Sequence, residues 1–297
     1  MIALTGSSGF LGQALQARWR AAGRPVRRLV RRGPSAGEAQ WDPAAGRLEG
    51  GALEGVTAVV NLAGENLTTG RWTPARRRRL VSSRVGSTRL LAETMARLPH
   101  PPAVLVSASA IGIYGARGEE VLTEASVRGT GFLADLVADW EAAAAPAVAA
   151  GIRVVHLRFG LILGHGGGML GRLVPLFRWG LGGALGHGQQ WMSWVSLRDT
   201  LSIVDAALTH PEWHGPLNVT APSPVRNEEF TGELAARLNR PAFLRVPASL
   251  LELLLGDLAR EAILASARVL PARLQDLGFM FQDRELSLAL PLVLEPA

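Results

Sequence analysis

The chain of 297 residues contains no cysteine and no lysine, so all 31 of its basic residues are arginine. Without cysteine there can be no disulfide framework, catalytic thiol or cysteine-ligated metal cluster. Without lysine there can be no lysine Schiff base and no step that uses a lysine ammonium group. Tyrosine occurs once, at Tyr114, which leaves a single phenol for acid–base chemistry. These absences narrow the available chemistry before any motif is considered.

The formal net charge is also small, at +6 for the whole chain. The densest basic run, Arg76 to Arg79, would wrap most of a helical turn, so its side chains cannot all face one partner. We therefore expect no nucleic-acid partner. The apolar run at Leu250–Leu255 is too short to span a bilayer, and Met1 leads into a glycine loop without a signal-peptide pattern. We expect a cytoplasmic protein with no membrane partner, and the six histidines show no metal-ligand spacing.

Short apolar segments alternate with helix-patterned segments through the first half of the chain. The pattern predicts strands at Ile2–Leu4, Val26–Val30, Ala58–Leu62, Val104–Val106 and Val154–Leu157, with helices at Leu11–Ala22, Pro74–Leu98 and Phe132–Ala150. Such alternation indicates an α/β protein with a doubly wound parallel sheet covered on both faces.

The alternating pattern ends after about residue 163, and glycine-rich loops follow at 164–171 and 180–188. Such loops either line ligands or simply connect elements, and composition does not distinguish the two. We expect a cofactor-binding domain at 1–165, to which strand segments near 190–222 return. We expect a smaller, mostly helical substrate-side and C-terminal domain at 166–297.

A glycine motif, Thr5-Gly6-Ser7-Ser8-Gly9-Phe10-Leu11-Gly12, directly follows the first strand and opens the first helix. In this context the first glycine allows a tight turn, the second lets a pyrophosphate approach the backbone, and the third lets helix pack on strand. The motif predicts a Rossmann fold that binds a dinucleotide at the helix N-terminus. The predicted contacts in the loop are Gly6, Ser8, Gly9, Phe10, Leu11 and Gly12.

The end of the second strand indicates which dinucleotide is bound. Sites for NAD usually place an acidic residue there to hold the ribose 2′-hydroxyl. Here the strand leads into Arg31 and Arg32, and no acid follows before Glu38. A guanidinium group suits a 2′-phosphate, so the sequence predicts NADP(H); two solvated arginines are the alternative.

Further stretches resemble the atypical extended short-chain dehydrogenase/reductases that are called the epimerase family. They are Asn61–Asn66, Arg71–Thr73, Ser107–Gly115, Leu157–Leu163, Gly188–Val195, Pro271–Leu274 and Gly278–Phe279. The Gln190-Trp191-Met192-Ser193-Trp194 segment is the most specific of them. The resemblance covers essentially the whole chain and implies an NADP-binding Rossmann domain, a small C-terminal domain and a poorly defined substrate.

In ordinary members of that superfamily, a Ser or Thr, a Tyr and a Lys form the catalytic set. The resemblance places Ser109 at the Ser position, whereas analogy puts Leu133 and Val137 at the Tyr and Lys positions. Because the chain contains no lysine, this departure does not depend on the alignment. The usual Tyr–Lys proton relay is therefore absent.

The remaining candidates are polar or aromatic residues near predicted strand ends. Ser109 and Tyr114 are the predicted catalytic residues, with a structural tyrosine and a backbone-bonded serine as the alternatives. Predicted cofactor contacts beyond the loop are Leu62, Ala63, Gly64, Glu65, Ser107 and Arg158, where ion pairs or capping would be the structural alternatives for the charged residues. Gln190, Trp191 and Trp194 are predicted to bind substrate, unless the tryptophans form a core between the domains.

Two functions of different class fit these residues. One is an NADP(H)-dependent oxidoreductase that acts on a small carbonyl or sugar-like substrate without the Tyr–Lys pair. The other is a non-catalytic NADPH-binding sensor or interaction module that retains the pocket. The oligomeric state stays open, with a homodimer as one alternative.

Overall fold

The protein is described by a computed structural model that covers residues 1–294. Its strands are β1 Ile2–Thr5, β2 Val26–Val30, β3 Ala39–Asp42, β4 Arg47–Leu48, β5 Ala58–Asn61, β6 Val104–Ala110, β7 Val121–Leu122, β8 Arg153–Phe159, β9 Leu161–Leu163, β10 Gly183–Leu185, β11 Trp191–Met192, β12 Trp194–Ser196, β13 Gly215–Val219, β14 Val225–Arg226, β15 Leu244–Val246 and β16 Arg268–Val269. Its α-helices are α1 Phe10–Ala21, α2 Pro74–Val81, α3 Ser87–Ala96, α4 Phe132–Ala142, α5 Ala145–Ala149, α6 Leu170–Arg178, α7 Leu197–Thr209, α8 Asn227–Leu238, α9 Ala248–Leu255, α10 Ala272–Asp276 and α11 Leu286–Leu294.

Eight strands form the large sheet in the order β13-β8-β6-β5-β1-β2-β3-β4. All neighbouring strands run parallel except β3 and β4, which form an antiparallel hairpin at one edge. From β1 the chain builds outward through β2 and β3, and then returns to build the other half from β5. The strand order therefore reverses between β1 and β5, and the carboxyl ends of these strands open a crevice where such folds bind ligands.

Helices cover both faces of this sheet, as the near-continuous apolar strands require. On one face α1 and α7 pack through Leu15, Trp19 and Ile203 in the core that includes Leu4 and Val60. On the other face α3 and α5 pack through Leu91, Met95 and Ala147 against Ala3, Val59 and Leu105. The doubly wound fold that the alternation predicts is confirmed.

The helix expected at 74–98 forms as two α-helices joined by a π-helical segment at Ser82–Gly86. Its start follows the sequence signal, because Thr73 Oγ1 accepts a hydrogen bond from the Arg76 amide at 3.2 Å and Pro74 occupies the first turn. The helix expected at 132–150 is likewise divided, into α4 and α5.

The second half of the chain returns to the large sheet through β13, which pairs with β8. Most of the regular structure in the remainder is helical: α6, α8 and α11 share one apolar core, and short two-stranded ladders form outside the large sheet. A π-helical segment at Ala259–Ile263 packs with α9 against α2 and α4. Residues 295–297 of the predicted second region lie outside the described residues. Within residues 1–294, no helix combines the length and apolarity that crossing a bilayer requires.

Candidate functional site

The glycine loop lies at the crevice between β1 and β5 and is crowded enough to require two of its glycines. Gly6 has φ +64°, and a Cβ there would lie 2.5 Å from the carbonyl oxygen of Leu62. A Cβ at Gly12 would lie 2.3 Å from the carbonyl oxygen of Gly6. Gly6 thus lets β1 turn beside β5, and Gly12 lets α1 start directly against the turn.

The loop leaves the start of α1 open to a ligand. No side chain caps this helix, and its first turn contains no acidic residue. Ser8 and Gly9 are exposed, while Gln16 Nε2 donates to the Ser7 carbonyl oxygen at 2.6 Å and fixes the loop from behind. Uncapped amide groups at the positive end of a twelve-residue helix attract negative charge.

The first glycine-rich loop of the second half packs onto this site through Phe10. A Cβ at Gly167 would lie 2.1 Å from Phe10 Cδ2, and one at Gly164 would lie 2.8 Å from Phe10 Cζ. The glycines at these positions allow the loop to lie on the phenyl ring. The loop at 164–168 is therefore part of the wall of the crevice.

A buried hydrogen-bonded chain holds the crevice from below. Thr5 Oγ1 donates to Asn61 Oδ1 at 2.7 Å and accepts the Leu62 amide at 3.1 Å. The Asn61 Nδ2 group then donates to Thr88 Oγ1 at 2.8 Å, which also accepts the Trp140 indole N–H at 2.9 Å. These contacts tie β1, β5, α3 and α4 together through Asn61 and Thr88.

The end of β2 presents free positive charge. Arg31 and Arg32 are both exposed, and within residues 1–294 neither guanidinium forms a hydrogen bond or salt bridge. Glu38, the first acid after them, is taken up by an ion pair with Arg28. This end of the sheet therefore offers donors for an anion and no free carboxylate for a ribose hydroxyl.

The segment after β5 is bound to α2 and the π-helical turn that follows it. Glu65 forms ion pairs with Arg76 and Arg79, and both use its Oε1 atom, so its contact with the cofactor stays a prediction. A Cβ at the exposed Gly64 would lie 3.2 Å from Arg84 Cζ, and Arg84 donates to the Glu65 carbonyl oxygen at 2.9 Å. Burial lowers the pKa of Arg84 to about 10 in spite of the nearby Glu65. Arg84 thus supports this segment from beneath.

The predicted catalytic residues lie in one buried polar network, which we call the Glu141–Arg158 network. Ser109 Oγ donates to Glu141 Oε1 at 2.6 Å, and Arg158 holds both carboxylate oxygens of Glu141 at 2.8 Å. Arg158 Nη1 also donates to the Tyr114 hydroxyl at 2.9 Å, and that hydroxyl donates to Asn218 Oδ1 at 2.7 Å. Ser109 is 2% exposed and Tyr114 is 0% exposed.

Charge in this network is fixed by its partners. Burial alone would raise the pKa of Glu141, but hydrogen bonds and charge from Arg158 outweigh it and lower the pKa. Burial raises the pKa of Tyr114 against the opposing effect of Arg158. Burial also lowers the pKa of the neighbouring His156, more than Glu141 raises it. At neutral pH the network therefore consists of an ion pair, a neutral phenol and a neutral imidazole.

The network contacts the far end of α4, whereas Leu133, which analogy puts at the position of the superfamily's catalytic tyrosine, lies at the start of that helix. A Cβ at Gly112 would lie 3.4 Å from Leu133 Cβ, whereas Ser109 bonds to Glu141, about 12 Å further along α4 at 1.5 Å per residue. At the α4 start, the Leu133 amide donates to Glu261 Oε2 at 2.8 Å. The catalytic roles of Ser109 and Tyr114 stay predictions. Their burial favours a role in holding the surrounding structure over direct contact with a substrate.

The other predicted contacts divide by exposure. Ser107 is 0% exposed and donates to the Ala108 carbonyl oxygen, and Arg158 is fully engaged in the network. Gln190 and Trp194 are 1% and 0% exposed, with Trp194 Nε1 bound to the Ser223 carbonyl oxygen at 2.9 Å. Only Trp191 of the three predicted substrate residues is half-exposed. The assignments of the buried side chains stay predictions that their positions do not favour.

Several polar residues whose hydrogen-bond partners lie far away in the chain were not predicted from the sequence. Glu141, Asn218, Thr88 and Glu261 each complete a contact with a residue between 17 and 128 positions away. A carboxylate on the helix that faces a strand arginine was the one available signal for Glu141. Among residues 1–294, no group of three or more His, Cys, Asp or Glu side chains is arranged to hold a metal ion.

The fold and the crevice define a dinucleotide-binding α/β protein with a C-terminal extension. The sequence profile of the NAD dependent epimerase/dehydratase family matches residues 2–219, and a profile described as a domain of unknown function (DUF1731) matches residues 246–291. The chain therefore belongs to the NAD dependent epimerase/dehydratase family.

Relatives match over nearly their whole length. The epimerase family protein Mb2239 of Mycobacterium bovis is 42% identical over 291 residues, which cover 98% of this chain and 96% of the relative. The human epimerase family protein SDR39U1 is 35% identical over 288 residues, or 96% of each chain. The crystal structure of human SDR39U1 (isoform 2) with NADPH superimposes with a TM-score of 0.90 at 32% identity, covering 100% of this chain and 99% of that one.

Proposed function

We propose that this protein is an NADP(H)-dependent oxidoreductase that acts on a small carbonyl or sugar-like substrate without a Tyr–Lys pair. The observation that carries the proposal is the uncapped N-terminus of α1 beside two free arginines at the end of β2. The relative whose structure is similar over the whole chain was crystallised with NADPH, which supports the same cofactor here.

The loop and the strand end divide the recognition of the cofactor. Backbone amides in the first turn of α1, which begins at Phe10, would hold the pyrophosphate, and the dipole of α1 would favour its negative charge. Arg31 and Arg32 would hold the 2′-phosphate through charge-assisted hydrogen bonds. The bound cofactor would supply or accept the hydride, and the protein would supply orientation.

We assign the Glu141–Arg158 network a positioning role. Its hydrogen bonds fix the last residues of β6 and the turn that carries Tyr114 against β8, β13 and α4. Substrate orientation would then depend on the network, although Ser109 and Tyr114 are almost completely buried. A substrate screen with S109A and Y114F separates this role from direct proton transfer: positioning predicts reduced turnover with an unchanged pH profile, and a proton donor predicts a changed profile.

The cofactor assignment has a direct test in two titrations. NADPH should bind the wild type at least tenfold more tightly than NADH, because each charge-assisted hydrogen bond to the 2′-phosphate contributes about 1.5–3 kcal/mol. R31Q/R32Q should lose that preference while its affinity for NADH stays within about twofold. R78Q, which removes an exposed arginine on α2, is the matched control. Equal affinity of the wild type for both cofactors would overturn the assignment.

A second function, a non-catalytic NADPH-binding sensor, is favoured by one observation. The hydroxyl of Tyr114, the one phenol of the chain, is held inside the protein by Arg158 and Asn218. This function predicts NADPH binding without turnover across a broad carbonyl panel, and a protein partner whose affinity differs between NADPH and NADP⁺. Turnover of any substrate that depends on bound NADPH would exclude it.

A further inference from the structure

The stacked group of Trp191, Arg226 and Arg268 contains a guanidinium, that of Arg268, whose buried Nε has no hydrogen-bond partner in the described residues. Arg268 lies on β16, is half-buried, and has its guanidinium carbon 4.6 Å from the centre of the Trp191 ring. Across residues 1–294 it forms no hydrogen bond or ion pair, and its Nε is buried without an acceptor. An unsatisfied buried donor costs about 1–3 kcal/mol, so such a group normally has a partner in the working state of a protein.

The neighbouring charges do not supply that partner. Arg226 stacks on the same indole at 4.0 Å, and Glu119 holds it through two hydrogen bonds of 2.8 Å and 2.6 Å. The same carboxylate accepts the Trp191 indole N–H at 3.0 Å. Glu119 is therefore committed to Arg226 and Trp191. The charge of Arg268 helps to lower the pKa of Glu119, but no hydrogen bond joins the two side chains, so the N–H groups of Arg268 have no acceptor in this group.

The backbone holds this group in place beside the carboxyl side of the large sheet. The Val269 amide donates to Ser193 Oγ at 2.9 Å, and the Trp191 amide donates to Ser266 Oγ at 3.1 Å. Strand β16 pairs with β7, which follows the turn after β6, and Asn218 of the Glu141–Arg158 network donates to the Leu270 carbonyl oxygen at 3.0 Å. The guanidinium is thus pre-organised where the C-terminal segment meets the loops that follow the sheet strands.

We infer that Arg268, stacked on Trp191, is a binding site for an oxyanion, a carboxylate or a phosphate ester carried by the substrate. The indole holds the guanidinium plane so that its free N–H groups can take an oxyanion in a fork, and its buried Nε–H gains an acceptor. Describing this anion as part of the substrate rests on the proposed function, whereas the binding of an oxyanion does not.

Titrations with inorganic phosphate and with succinate test the site in low-salt buffer. Saturating NADPH fills the cofactor loop first, and its own titration shows whether the proposed function stands. The signal is the tryptophan fluorescence of wild type minus that of W191F, which isolates the indole that Arg268 touches. R47Q removes an exposed arginine on β4, at the opposite edge of the sheet from β13, and is the matched control.

Wild type and R47Q should show a saturable change, and R268Q should weaken it at least tenfold while it binds NADPH as the wild type does. If R268Q does not fold, R268K, which keeps the charge but lacks the fork, should show the same weakening. Saturation by phosphate alone identifies a phosphate ester, and saturation by succinate alone identifies a carboxylate. No saturable change with either anion, or equal changes in wild type and the Arg268 variant, would overturn the inference even if NADPH binds.

Discussion

The crevice at β1 and β2 and the Glu141–Arg158 network lie along the same edge of one sheet but differ in how their polar groups are satisfied. At the crevice, no side chain caps the start of α1, and both Arg31 and Arg32 are exposed. In the network, the Glu141 carboxylate, the Arg158 guanidinium and the Tyr114 hydroxyl bind one another. The crevice therefore has hydrogen-bond donors left for a ligand, whereas the donors of the network bind other residues of the protein.

This difference teaches that residue type alone does not identify a site. Ser109, Tyr114 and Arg158 have the chemistry of catalytic residues, yet they lie inside the protein. Gly9 and Ser8 have little side-chain chemistry, yet they are exposed directly before the uncapped start of α1. Substitutions in the network should therefore change the stability of the protein, and substitutions in the crevice should change its affinity for the cofactor.

The largest expected effect comes from breaking the ion pair in the network. E141Q leaves Arg158 buried without its anion, so the free energy of unfolding should fall by about 3–5 kcal/mol in urea denaturation. E120Q is the control, because its carboxylate is 47% exposed and pairs with Arg117 near the surface, where the loss should be about 0–1 kcal/mol. The double variant E141Q/R158M should recover part of the loss, since it removes the buried cation as well. Equal losses for E141Q and E120Q would contradict the structural role of the network.

An effect of intermediate size, on NADPH affinity, is expected when a methyl group is added within the glycine loop of the crevice. G12A places a methyl group 2.3 Å from the Gly6 carbonyl oxygen, so the loop must shift and the NADPH affinity should fall at least tenfold. G232A is the matched control, because Gly232 is also helical, is exposed and has no heavy atom within 4 Å of a Cβ. That control should keep its NADPH affinity and become more stable by up to about 1 kcal/mol from helix propensity. Unchanged NADPH affinity in G12A would show that the cofactor does not depend on this close approach.

The smallest effect should come from pH, through His156. Its pKa is lowered in the folded protein by burial, so the unfolded chain binds more protons as the pH falls below about 6.5. The stability contribution is complete above that pH and is lost as the pH drops towards the folded-state pKa, by up to about 1.4 kcal/mol per pH unit. H156Q should therefore show a flatter loss of stability between pH 7 and pH 5 than the wild type. H100Q, which changes an exposed histidine, should follow the wild-type curve, and a wild-type slope in H156Q would exclude the effect.

The parts of the molecule that local signals determine could be predicted from the sequence. The glycine loop, the Thr73–Pro74 helix start and the apolar strands depend on neighbouring residues, and each forms where its pattern indicates. The β3–β4 hairpin was missed, because its short strands carry charged and polar residues and lack a clear alternation.

The partners of buried polar side chains could not be predicted in the same way. Tyr114 bonds to Asn218, 104 residues away, and Leu133 bonds to Glu261, 128 residues away. Such pairs are set by the packing of whole elements, and no local spacing encodes them. For this reason the sequence indicated that Ser109 and Tyr114 are near the sheet edge but not that they face inward.

Hydrogen exchange of backbone amides, compared with and without NADPH, tests the difference between the two regions most directly. We expect NADPH to slow exchange at the start of α1, from Ser8 to Leu11, and around Arg31 and Arg32. Exchange in β6 and β8, which flank the Glu141–Arg158 network, should be slow already and should change little. New protection in β6 and β8 with none at the start of α1 would contradict the proposed difference between the two regions.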